Sequence, residues 1–81
     1  MTKINSFLDM EIDPFDIPII VIYDSPSDFK GKFVGRLFIG EATEFHVVKD
    51  TLSEVRNAVP DSFFRMERSE QDDPVIVEVW I

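Results

Sequence analysis

A run of seven residues, 17–23 (Ile-Pro-Ile-Ile-Val-Ile-Tyr), constrains the fold of this chain more than any other segment. Its β-branched residues favour a strand. Both alternating faces are apolar, so the strand has to be covered on both sides. Pro18 stands at its start, where a missing N–H is tolerated. An 81-residue chain is one domain with few elements to spare for that cover, and a domain this short buries only about 60% of its unfolded surface.

The segments around this strand identify the covering elements. Residues 24–28 (Asp-Ser-Pro-Ser-Asp) form a turn-rich loop, because Asp and Ser bond back to the backbone and Pro presets φ. Residues 33–39 and 42–48 read as a hairpin around Gly40-Glu41, which suits a two-residue turn whose first position needs positive φ. That register sets Phe33, Gly35, Leu37 and Ile39 opposite Val48, His46, Glu44 and Ala42. Val34, Arg36 and Phe38 then face Val47, Phe45 and Thr43 on the other side. Thr51-Leu52-Ser53-Glu54 is a capping box, with Thr51 accepting from the Glu54 amide and the Glu54 side chain reaching back to Thr51. Leu52, Val55 and Val59 follow as an apolar stripe, and Pro60 stops the helix. Residues 62–67 suit a short strand, 69–74 a polar loop, and 75–81 a final strand carrying Trp80.

These elements define an α+β fold. The expectation is an antiparallel sheet of about four strands with one short helix on one face, in β-β-β-α-β order. Residues 1–16 form an irregular N-terminal arm or short helix, and residues 17–81 the single α+β domain. Short connections favour antiparallel pairing. One helix of about ten residues covers only one face of such a sheet, yet the other face still carries Phe and Val. Either the arm covers it or a second protein does, and the leading form of the second is a homodimer.

The chemistry-bearing residues are sparse. There is no Cys, which excludes a disulfide framework, a thiolate metal site and a Cys nucleophile. His46 is the sole His, so neither a usual His/Cys metal site nor a catalytic triad has its parts. Asp72-Asp73 with Glu70 lacks the ligand spacing and glycine of a calcium loop and reads as a solvated turn. Gly31, Gly35 and Gly40 have neither phosphate-loop nor dinucleotide spacing. No cofactor and no catalytic residue is expected, and the chain is read as a non-enzyme.

Charge bears on partners. Sixteen acids against eight Lys and Arg give a net charge of −8, which disfavours nucleic acid because phosphate contacts need a basic face. It favours a basic protein partner through steering. No apolar stretch approaches the roughly 20 residues of a membrane span. Residues 1–10 lack an apolar signal core, so no membrane association and a cytoplasmic location are expected.

Four stretches, Tyr23-Asp24-Ser25-Pro26-Ser27-Asp28, Gly31-Lys32-Phe33-Val34, Val47-Val48-Lys49-Asp50-Thr51-Leu52 and Asp72-Asp73-Pro74-Val75-Ile76-Val77-Glu78-Val79-Trp80, resemble a small bacterial family of single-domain proteins of unknown function. That resemblance implies a single domain and supplies no activity. The strand–strand–strand–helix–strand order, with Lys49-Asp50-Thr51-Leu52-Ser53-Glu54 opening the helix, is similar to that of HicB-like antitoxin domains. The functional expectation is therefore a non-catalytic protein-interaction module using a sheet face, with Arg36, Phe38, Phe45 and Trp80 as candidate contact residues. The alternative is an antitoxin-like inhibitor of a basic partner such as a ribonuclease.

Overall fold

The computed structural model describes residues 2–67 and 74–81. The elements are β1 (Thr2–Ile4), two 3-10 turns (Phe7–Asp9 and Pro14–Asp16), β2 (Pro18–Asp24), β3 (Phe33–Ile39), β4 (Glu41–Lys49), α1 (Leu52–Asn57), β5 (Arg65–Glu67) and β6 (Ile76–Trp80). The strands form one six-stranded sheet in the order β1-β4-β3-β2-β6-β5. The α+β class and the single short helix stand. The sheet differs from the expectation of about four antiparallel strands, because β1 adds a parallel edge beside β4 and β5 pairs with β6. A three-residue strand such as Thr2–Ile4 carries too little pattern to announce itself, and its partner lies more than forty residues along the chain.

The segment that posed the folding problem is β2, and it lies inside the sheet between β3 and β6. Ile20 and Ile22 point to one face, the core face, where both are fully buried. The cover there comes from two sources. Val55, Ala58 and Val59 arrive from α1 and its exit, and Phe7 arrives from the N-terminal arm. The arm thus shares a face with the helix and leaves the opposite, outer face to other cover. Phe7 is held by its amide donating to the Ala58 carbonyl at 3.0 Å. Gly35 makes room for both covering pieces. A Cβ there would sit 3.1 Å from Val55 Cγ1 and 3.3 Å from Phe7 Cε2, so the helix and the arm close on bare backbone. Burying each large apolar side chain of this cluster contributes about 1.5–3 kcal/mol.

The hairpin is slipped by one residue from the expected register. Gly40 takes the positive φ that the turn requires, at 73°, but Glu41 already pairs with Ile39, and the ladder is irregular between Arg36 and Phe38. The Thr43 hydroxyl holds the bulge in β4. It donates to the Leu37 carbonyl at 2.7 Å and accepts from the Phe45 amide at 3.2 Å. Beyond the bulge His46 pairs with Arg36 and Val47 with Gly35, instead of His46 with Gly35. A one-residue slip exchanges the two faces of a strand. Here it puts Val47 into the core beneath Phe7 and moves His46 to the outer face.

The helix starts as expected and ends early. Thr51 accepts from the Glu54 amide at 3.2 Å, and its hydroxyl donates to the Glu54 carboxylate at 3.0 Å rather than Glu54 reaching the Thr51 backbone. Only Leu52–Asn57 is α-helical. The Ala58 amide already bonds the Val55 carbonyl in a tighter turn, and Pro60 biases Val59 away from the α region.

One junction is strained. Ile17, between the arm and β2, has φ 54° and ψ 60°. A β-branched residue rarely adopts this left-handed conformation, and its position before Pro18 disfavours it further. The cost is on the order of 1–3 kcal/mol.

Candidate interaction surface

Among the described residues, cover on the outer face lies over one half. The loop joining β2 to β3 folds back over it, closed by the Ser25 amide on the Lys32 carbonyl at 2.8 Å and by the Gly31 amide on the Ser25 hydroxyl at 3.1 Å. From this loop the Asp28 carboxylate lies 3.7 Å from Arg36. The Phe29 ring lies 5.4 Å from that of His46, tilted by 39°. His46 and Val34 are buried beneath it. Lys32 pairs with Asp50, tying the end of the loop to the turn before α1. His46 is thus a buried residue of the outer face under an aromatic cap.

The other half of the face is open. Cross-strand pairing aligns Ile19 with Phe38, and Val21 with Val79 and Arg36. Phe64 and Ile81 exchange backbone hydrogen bonds of 2.6 and 2.8 Å and extend the row outward. Met66, opposite Val79, completes it. Phe64, Met66 and Ile81 are exposed, and Ile19, Val21, Phe38 and Val79 are half-buried. A hollow of about 410 Å³ lies at the β3 side, lined by Asp16, Ile17, Ile19, Val21, Phe38 and Gly40. Seven apolar side chains in two adjacent cross-strand rows form a patch of the kind that marks an interface.

Of the four residues expected on the contact face, Phe38 lies in the open half, and Arg36 lies on the same face at the end closed by the loop, 3.7 Å from Asp28. Phe45 alternates with His46 onto the other side of β4, beside Thr2 of β1. Trp80 pairs with Ile20 and packs against the core cluster. The one-residue slip separates Phe45 from Phe38. Trp80 turns inward because β6 aligns it with a fully buried residue. Ile19, Val21, Phe64, Met66, Val79 and Ile81 are the patch residues that sequence reasoning passed over. The two-sided apolar character of residues 17–23 was the available signal for the first two.

Trp80 also belongs to a polar cluster at the margin of the core face. Its indole N–H donates to Glu78 Oε1 at 3.0 Å, and the Arg56 guanidinium grips the same carboxylate at 2.9 and 2.8 Å. Arg65 stands 3.8 Å away. Glu78 is only 4% exposed. Burial pushes its carboxyl up, but the hydrogen bonds from Arg56 and Trp80 and the charges of both arginines outweigh it and hold the group below the usual carboxylate range. The carboxylate is held by two arginines, and the bidentate Arg56 pair locks α1 to β6.

Among the described residues, no group of three or more His, Cys, Asp or Glu side chains is placed to hold a metal ion. No helix among them is long and apolar enough to cross a membrane. The acidic pair Asp72-Asp73 lies outside the described residues. Comparison with protein-family models, with curated proteins and with solved structures gives no match.

Proposed function

We propose that the protein is a non-catalytic interaction module and that the open half of its outer sheet face receives a basic protein. The observation that carries this reading is the contrast within one face. The loop over residues 25–32 seals the Arg36–His46 end, while the Phe64, Ile81, Ile19 and Phe38 row and its Met66, Val79 and Val21 neighbours stay uncovered. Charge complementarity selects the partner. The chain carries −8, and Asp16 lines the hollow at the patch. Facing acidic rims would oppose a second copy on this surface, whereas a basic rim around an apolar centre would be steered to it and held. An inhibitor of a basic enzyme, such as a ribonuclease, is one form of this module. From β2 onward the order is three strands, α1 and two strands, one strand more than the strand–strand–strand–helix–strand order of that form.

The test is affinity capture from native lysate at moderate salt, run in parallel with the native chain and Phe38→Glu, followed by reconstitution with the purified captured protein. A basic protein bound stoichiometrically by the native chain and lost with Phe38→Glu supports the reading. No stoichiometric partner, or equal capture by both chains, rejects it.

A further inference from the structure

The N-terminal arm behaves as a ligand of its own chain. Its long-range bonds all run to residues far along the sequence: β1 pairs with Phe45, His46 and Val47, Thr2 donates to Glu44 at 3.1 Å, and Ser6 and Phe7 both donate to the Ala58 carbonyl. Its other bonds are local, closing the two turns within the arm. Phe7 is the anchor and is fully buried against Gly35 and Val55. The arm is therefore a self-contained peptide seated in a groove of residues 18–81, joined to it at a single point.

That point is Ile17, the strained residue at φ 54°. Beside the strain lies a second unusual feature. Phe15 is 91% exposed and Ile17 is 76% exposed, the two most solvent-accessible large apolar residues described. Among the described residues, no buried contact covers the Phe15 ring or the Ile17 side chain.

We propose that two copies of the chain exchange their N-terminal arms, each seating its Phe7 against Gly35 and Val55 of the other. Asp16 and Ile17 also line the hollow of the outer-face reading, and Phe7-to-Val55 contacts between chains separate the two. In the exchanged dimer every arm contact of the monomer is remade, so the core is unchanged. Ile17 extends into β2, releasing the left-handed conformation before Pro18. The two junctions meet about the two-fold axis, where Phe15 and Ile17 of both copies bury one another. The arrangement is closed and isologous. Strained junctions favour this exchange. The opposing terms are the entropy of association and the repulsion of Asp13 and Asp16, which flank Phe15 in both copies. The dimer should therefore form at high protein concentration and tighten as salt screens those carboxylates.

The experiment is sedimentation velocity over a wide concentration range, at low and high salt, together with isotope-filtered NOE spectroscopy on an equal mixture of labelled and unlabelled full-length chain. The expected result is a concentration-dependent dimer, tighter at high salt, with Phe7-to-Val55 contacts between chains. Ile17→Gly accepts positive φ without strain and removes one apolar side chain, so it should weaken the dimer by about tenfold or more. Asp16→Asn should tighten it at low salt. A chain that stays monomeric throughout overturns the proposal, as does a dimer whose Phe7-to-Val55 contacts are all intramolecular.

Discussion

Replacing Phe7 by alanine removes the ring that seals the core face between α1 and β3. Phe7 is fully buried, while its neighbour Leu8 is 63% exposed, so the pair separates packing from a generic change in the arm. A buried Phe→Ala change costs about 3–5 kcal/mol through lost transfer energy and the residual cavity. Here the cavity floor is Gly35, which has no side chain to relax into it, and the nearest wall is the β-branched Val55. The cost should be about 4 kcal/mol or more. A domain of this length has a total stability of about 4–12 kcal/mol, so the substitution removes a large share of it. The single tryptophan, Trp80, packs against the same cluster and reports the transition. In urea, with a slope of about 1 kcal/mol per molar, the midpoint should fall by about 4 M. Leu8→Ala should stay within about 0.5 kcal/mol of the native chain. A loss below about 1 kcal/mol for Phe7→Ala would refute the reasoning, since the arm would then be decoration on a core that stands without it.

Two further perturbations follow. Gly35→Ala places a methyl 3.1 Å from Val55 and 3.3 Å from Phe7, and should cost about 1–3 kcal/mol of overpacking by thermal denaturation; an unchanged melting temperature would contradict the close approach. Glu78→Gln strips the charge partner from Arg56 and Arg65, and because Arg56 is partly exposed and can rehydrate, the cost should be about 1–3 kcal/mol, below that of a fully buried pair. Its pH dependence has a defined sign. The folded carboxyl lies below its ordinary value of 4.5, so its stabilisation is complete above the unfolded value and is lost as pH falls through the folded one. The difference in stability between the native chain and Glu78→Gln should therefore shrink progressively below about pH 4.5, and a difference constant with pH would contradict the assignment.

Local chemistry made part of this fold legible. Residues 17–23 announced a strand covered on both sides, and Thr51 announced the helix start, because β-branching and capping act within a few residues. The hairpin register was not legible. A two-residue turn at Gly40-Glu41 was the sound local reading, but the bulge at Thr43 is decided by the fit of Val47 between Gly35 and Phe7, residues from three separate segments. The same holds for the arm. Nothing in residues 1–16 shows that Phe7 rather than Phe15 is the buried ring, since that depends on the hole that Gly35 leaves more than twenty residues later. For the contact face, apolar character on both sides of the sheet was visible in advance. Which half stays open was not, because it is settled by Phe29 and Asp28 folding onto His46 and Arg36.

The open half of the outer face is the central claim, and methyl NMR on the complex tests it most directly. With the captured basic partner added to the labelled chain, the methyl signals of Ile19, Val21, Val79 and Met66 should shift or broaden, while those of Val55 and Val59 beneath the arm stay in place. Perturbations confined to Val55 and Val59, or to the loop over residues 25–32, would place the partner elsewhere and contradict the account.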